Sequence, residues 1–127
     1  MPVRPIVLCV EDDTFVRNAL VMMIKALDCE VLSAGTAEQA LALVRKGFSR
    51  VDILVTDIIL PLGDGIQLFQ ELKCTRPEME AMFISGFPKE CLAASRILPA
   101  GAPYLQKPFG FEGLEACLLP LIHDTLN

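Results

Sequence analysis

Five apolar runs of strand length, each followed by a stretch with helical spacing, leave this chain few folds to choose from. The run IVLCV is followed by Thr14 as a candidate N-cap and by Val16, Ala19, Leu20, Met23 and Leu27 at intervals of a helix face. Residues 30–34 read as a second strand, broken by Gly35. Thr36 and Gln39 then stand at capping-box spacing, opening a helix that ends near Gly47 with Ala37, Leu41 and Val44 inward. Residues 52–56 form the third strand. IILPLGDG follows as a loop, with Pro61 and the turn pair Asp64-Gly65, before a helix carrying Ile66, Phe69 and Leu72 that stops by Pro77. Residues 81–85 make the fourth strand, a short and weak helix follows Pro88, and residues 103–106 make the fifth strand before a last helix from about Phe111.

Strands alternating with helices predict an α/β fold, a parallel sheet covered by helices on both faces. IVLCV, DILVT and AMFIS are nearly continuous apolar runs, as central strands require, whereas EVLSA is interrupted by polar residues and PYLQ opens with proline. Strands two and five are therefore expected at the edges. This gives a doubly wound five-stranded sheet of order 2-1-3-4-5, with its switch point between strands one and three. No repeat, low-complexity segment or linker divides residues 1–127, so one domain is expected.

Composition removes whole classes of function. A net charge of −5 and a pI of about 4.8 disfavour direct binding of nucleic acid, which depends on cations meeting phosphates. Mean hydropathy is +0.48, yet no apolar run approaches the length of a membrane span. Cys9, Cys29, Cys74, Cys91 and Cys117 are odd in number, lack CxxC spacing and sit mostly in apolar stretches, which predicts reduced core thiols. MPVRPIVLCV runs straight into a strand without a long apolar stretch or cleavage site, so no export signal and a cytoplasmic location are expected. His123, the single histidine, lacks partners at metal-ligand spacing and reads as a surface residue.

Ligands of an open α/β sheet bind beyond the carboxyl ends of its strands. There the chain places Glu11-Asp12-Asp13 after strand one, Asp57 after strand three, Ser85 after strand four and Lys107-Pro108 after strand five. Carboxylates gathered from adjacent strands repel each other unless protonated or bridged by a hard cation, and an all-oxygen set suits Mg²⁺. An aspartate carboxylate can attack phosphorus to give an acyl phosphate, with a metal and a lysine offsetting charge on the transferring oxygens.

VEDD, DIILPLGDG, FISG and YLQKPF resemble the motifs of the response-regulator receiver domain of two-component and phosphorelay signalling, in a chemotaxis-regulator-like form. Each is weak alone, but all four occur in order, at matching intervals and across nearly the whole chain. The resemblance implies a flavodoxin-like (β/α)5 fold with Asp57 as phosphoacceptor. Asp12 and the Ile59 backbone carbonyl would join Asp57 as metal ligands, with Glu11 as the outer acidic partner acting partly through water. Ser85 would be the switch hydroxyl, Lys107 the phosphoryl-oxygen ligand with a cis bond to Pro108, and Tyr104 the aromatic whose rotamer follows activation. Asp13 matches a variable position. The phosphodonor would be a histidine kinase or histidine phosphotransfer protein, the output a protein partner, and the chain a phosphoacceptor that assists its own phosphorylation and dephosphorylation rather than an enzyme. Dimerisation is left open.

Two features depart from that family pattern. Pro120 should break or kink the last helix after about Leu119, and FPKECLAASRILPAG is poor in helical signals. Other functions remain to be weighed. A receiver-like adaptor that works without phosphorylation would not need Glu11, Asp12, Asp57 and Lys107 together. A Mg²⁺ aspartyl phosphatase usually has a second Asp two residues after the nucleophile, where this chain has Ile59. A flavin-binding domain would want a phosphate-cradling loop where Glu11, Asp12 and Asp13 stand. Taken singly, the acidic triplet could merely charge a helix start, Asp57 open a turn, and Lys107 sit solvated on the surface.

Overall fold

The computed structural model describes residues 3–46, 50–94, 98–99 and 101–127. Strands β1 (Ile6–Val10), β2 (Glu30–Ala34), β3 (Ile53–Asp57), β4 (Glu80–Ser85) and β5 (Tyr104–Gln106) form one parallel sheet in the order β2-β1-β3-β4-β5. Helices α1 (Thr14–Ala26), α2 (Ala37–Arg45), α3 (Gly65–Thr75), α4 (Lys89–Ala94) and α5 (Phe111–Leu126) connect and cover it. The order is the one expected, and the two interrupted runs are the edges.

Side chains alternate across the three central strands, and that alternation divides the core in two. Leu8, Val10, Leu54 and Phe83 face a cluster completed by Ala40 and Val44 of α2 and Leu68 and Leu72 of α3. Val7, Cys9, Val55, Met82 and Ile84 face the opposite cluster, closed by Leu20 and Ile24 of α1 and Leu114 and Leu118 of α5. Each of these large side chains, once buried, contributes about 1.5–3 kcal/mol. Phe83 meets Phe69 edge to face at 5.8 Å, tying β4 to α3. The strands are thus packed on both faces up to their carboxyl ends.

Local details differ from expectation. Asp13, not Thr14, caps α1: its carboxylate accepts the Val16 amide. Thr36 caps α2 as expected, accepting from the Gln39 amide, while Gln39 returns a bond from the Gly35 amide. That helix runs to Arg45, and its expected end near Gly47 lies outside the described residues. Asp64-Gly65 is not a free turn: Asp64 caps α3 and Gly65 begins it. The preceding IILPLGDG segment folds as a small antiparallel hairpin pairing Ile59–Leu60 with Gly63–Asp64, with Leu62 at its tip at φ 58°. Of the thiols, Cys9 and Cys29 are buried as expected, whereas Cys74 and Cys91 are exposed because they fall on the outer faces of α3 and α4. Ala19 of α1 is exposed, and the buried face of that helix is made by Leu20 and Ile24.

Pro120 does not break the last helix. α5 continues to Leu126, with Leu118, Leu121 and Ile122 buried on either side of the exposed proline. Packing of that stripe outweighs the one donor that proline removes. The weak fourth helix is short, as expected, with six residues, and residues 95–97 and 100 of its connecting segment are outside the described residues. Among the described residues no helix is long and apolar enough to cross a membrane.

Candidate functional site

Register delivers the site. Val10 of β1 pairs with Thr56 of β3, and Asp57 of β3 pairs with Ile84 of β4, so Glu11, Asp57 and Ser85 emerge side by side at the strand ends. Glu11 and Asp57 are buried there, at 1% and 5% exposure, although both are carboxylates. Carboxyl oxygens of Glu11, Asp12 and Asp57 all lie within 4.8 Å of one another, Asp12 being the exposed member. From the end of β5, Lys107 brings its ammonium 2.6 Å from Glu11 Oε1 and 3.0 and 3.1 Å from Asp57 Oδ1 and Oδ2. Its bond to Pro108 is cis, as the resemblance implied.

The surrounding backbone holds the acids in place. The Asp13 amide donates to Glu11 Oε2 at 3.0 Å, and the Arg17 guanidinium donates to the Glu11 carbonyl at 2.9 Å. Asp13 thus serves the start of α1 and the orientation of Glu11. The hydrogen bond from Lys107 goes to Asp57 Oδ2; Oδ1 feels the same charge but is buried without a hydrogen bond of its own.

These neighbours set the proton affinities. Burial, with the Glu11 carboxylate beside it, pushes Asp57 up to about 7 against the pull of Lys107. Burial also raises Glu11, but the hydrogen bonds from Asp57, Lys107 and the Asp13 amide outweigh it and hold the group below the ordinary glutamate range. For Lys107 burial acts downward, and its bonds to Glu11 and Asp57 keep the ammonium above its ordinary range. With Glu11 and Asp57 both ionised, the cluster carries one more negative charge than a single lysine can neutralise, even before Asp12 is counted.

A divalent cation fits this arrangement. The oxygen-only donor set is the kind Mg²⁺ selects, and the buried Oδ1 of Asp57 has an acceptor position to offer. Ile59, two residues beyond Asp57, stands in the first arm of the hairpin with its side chain outward.

Ser85 is buried, and its hydroxyl oxygen accepts the Phe87 amide at 3.1 Å. The Tyr104 hydroxyl donates to the Phe87 carbonyl and lies 3.4 Å from the Ser85 carbonyl, so both expected switch residues engage one short segment after β4. Phe15, Ile59, Leu62 and Phe87 are exposed apolar residues on the segments after β1, β3 and β4.

Residue-by-residue reasoning missed three contributors. Thr56 is fully buried and its hydroxyl donates to the Asp57 carbonyl at 2.9 Å; a lone hydroxyl at the end of an apolar strand was the available signal. Gly65 approaches the same carbonyl so closely that a Cβ would lie 2.0 Å from it, a contact that a turn glycine in sequence does not announce. Arg17 carried no local signal, since its partner is the carbonyl six residues earlier.

Residues 7–118 match the model of the response regulator receiver domain. The chain is 36% identical over 110 residues to the sensor kinase CckA of Brucella abortus, covering 85% of this chain but 11% of that protein. It is 32% identical over 109 residues to the response regulator receiver protein CpdR of the same organism, covering 85% and 88%. Among solved structures, the receiver domain of the hybrid histidine kinase CckA superposes with a TM-score of 0.76 at 27% identity, covering 92% of this chain and 98% of that one. A receiver domain protein from Clostridium thermocellum superposes with a TM-score of 0.78 at 20% identity, covering 94% and 95%. The chain therefore spans a small part of some relatives and nearly all of others.

Proposed function

The chain belongs to the response regulator receiver domain family of two-component signalling, and on that premise we propose that it accepts a phosphoryl group on Asp57 from a histidine phosphodonor. The observation that carries this is the buried Asp57, bridged to the buried Glu11 by the Lys107 ammonium, with one oxygen lacking a hydrogen bond. A structural aspartate at a strand end does not need such an environment.

Mg²⁺ bound by Asp12, Asp57 and the Ile59 carbonyl, with Glu11 acting through water, would offset the charge of the transferring phosphoryl oxygens. The remaining roles belong to the protein. Asp57 must be ionised to attack, and its burial and the Glu11 carboxylate beside it, which push its carboxyl up to about 7, oppose that until a cation offsets the charge. Its carboxylate oxygen then forms a bond to phosphorus as the donor's phosphorus–nitrogen bond breaks, and the electron pair leaves with the imidazole. Lys107 shifts from the carboxylate to a phosphoryl oxygen, remaining charged throughout. Ser85 and Tyr104, which already share the segment after β4, report the new charge to the surface near β4 and β5.

The product is a binding signal rather than a released compound. A net charge of −5 and the exposed Phe15, Ile59, Leu62 and Phe87 favour a protein partner over nucleic acid, and a cytoplasmic setting is part of the proposal. Within residues 1–127 we take the receiver to be the whole functional unit, acting as a phosphoacceptor and not as a turnover enzyme.

The test is transfer from a panel of phosphorylated histidine phosphotransfer domains. With Mg²⁺ present, at least one donor should lose its phosphate while this chain gains it. Retention of phosphate by every donor, with no adduct on this chain and no free phosphate beyond that released by the donor alone, would contradict the proposal.

A further inference from the structure

We infer that Thr56 and Gly65 are positioning residues that lock the Asp57 carbonyl, and with it the attitude of the Asp57 side chain and of the Ile59 carbonyl. The inference rests on the reading of Asp57 as phosphoacceptor.

Thr56 is the first observation. It is fully buried in β3, where valine has the same shape and an equal preference for strands. Burying a hydroxyl is unfavourable unless it is hydrogen-bonded, and this one donates to the carbonyl of the very next residue, Asp57, at 2.9 Å. A bond between neighbours adds little to the cohesion of distant parts of the fold. What it fixes is the orientation of one peptide plane.

Gly65 packs against the same carbonyl. A Cβ there would meet the Asp57 carbonyl oxygen at 2.0 Å and the Thr56 side chain at 2.8 and 2.9 Å, so α3 begins in contact with both residues. The Gly65 amide donates to the Ile58 carbonyl at 2.7 Å, and the Ile58 amide donates to the Ile84 carbonyl at 2.9 Å. The peptides on both sides of Ile58 are therefore held. From this junction the hairpin leaves and returns, and Asp64 secures its end by accepting the Gln67 amide at 2.6 Å. The segment carrying Asp57 and Ile59 is a loop closed by the Gly65 amide on the Ile58 carbonyl, directly beside the Asp57 carbonyl, and small displacements of reacting groups are costly to rate.

The experiment compares wild type with Thr56→Val, Thr56→Ser and Gly65→Ala in three measurements. These are Mg²⁺ affinity by NMR titration of the metal-free protein, the rate of adduct formation with a small phosphodonor at saturating Mg²⁺, and the thermal midpoint. Thr56→Val should melt within a few degrees of wild type yet bind Mg²⁺ more weakly and form adduct about 10-fold more slowly, while Thr56→Ser restores both. Gly65→Ala should show a larger loss; if it does not fold, the Thr56 pair decides. Wild-type affinity and rate in Thr56→Val overturn the inference alone. Absence of adduct in wild type overturns the phosphoacceptor reading and this inference with it.

Discussion

The Lys107 ammonium lies 3.0 and 3.1 Å from the two carboxylate oxygens of Asp57, a residue 50 positions earlier in the chain and itself only 5% exposed. Burying an aspartate leaves its charge unsolvated beside the Glu11 carboxylate, and this lysine offsets part of that cost. Lys107→Met should therefore have two separable effects. Adduct formation at saturating Mg²⁺ should fall by about 100-fold or more, because a charge aimed at the transferring oxygens is lost. Urea unfolding of the metal-free protein should show a loss of about 3 kcal/mol, because two buried carboxylates are left with no cation. Unchanged rates with lowered stability would make the lysine purely structural.

Asp57 also makes stability depend on pH in a defined direction. Its carboxyl is pushed up to about 7 from an ordinary 3.8, so between those values the folded state binds the proton more tightly than the unfolded chain. Stability in the absence of metal should then be greatest toward acid, fall as pH rises through about 7, and flatten beyond. Glu11 is shifted downward and acts in the opposite sense, but only in more acid solution. Glu80, raised by burial and by Asp124, acts in the same sense as Asp57, so the contribution of Asp57 is the part of the change in urea stability between about pH 5 and pH 8 that Asp57→Asn removes, on the order of 2–4 kcal/mol. Asp57→Asn should remove most of the slope, leaving the part due to Glu80, and Mg²⁺ should flatten it in wild type.

Most of the fold was legible because its signals are local. IVLCV, DILVT and AMFIS are apolar enough to demand burial on two faces, and the polar interruptions of EVLSA and the proline of PYLQ assign the edges. The site was legible for a related reason: strand ends collect whatever follows each apolar run, which places Glu11, Asp57, Ser85 and Lys107 without knowledge of packing. What escaped depends on contacts between distant backbones. Proline's local rule argued against a continuous α5, whereas Leu118, Leu121 and Ile122 hold the helix on the sheet. Gly65 looked like a turn glycine because the carbonyl it must clear is eight residues away.

Pro120 gives a further stability prediction. It is exposed within α5, so replacing it removes no core contact and restores the amide hydrogen bond to the preceding turn. Pro120→Ala should stabilise the protein by about 1–3 kcal/mol in urea unfolding, without altering adduct formation. A destabilised variant would mean that the proline ring contributes packing the helix needs.

The thiols should react in an order set by burial. Cys9 is pushed up to about 12 by burial and by the carboxylates of Glu11 and Asp57, and Cys29 is pushed up to about 11 chiefly by burial. Cys74 and Cys91 are exposed. Timed alkylation of the native protein, read by peptide mass spectrometry, should modify the exposed pair first and leave Cys9 untouched until unfolding. Early modification of Cys9 would show that the core beneath the site opens readily.

The most direct test of the central claim is intact-protein mass spectrometry after incubation with Mg²⁺ and a small-molecule phosphodonor, with Asp57→Asn and a chelator as controls. The expected result is a single labile phosphoryl adduct in wild type that is lost in both controls. An adduct that persists in Asp57→Asn, or none in wild type under any donor, would contradict phosphorylation at Asp57.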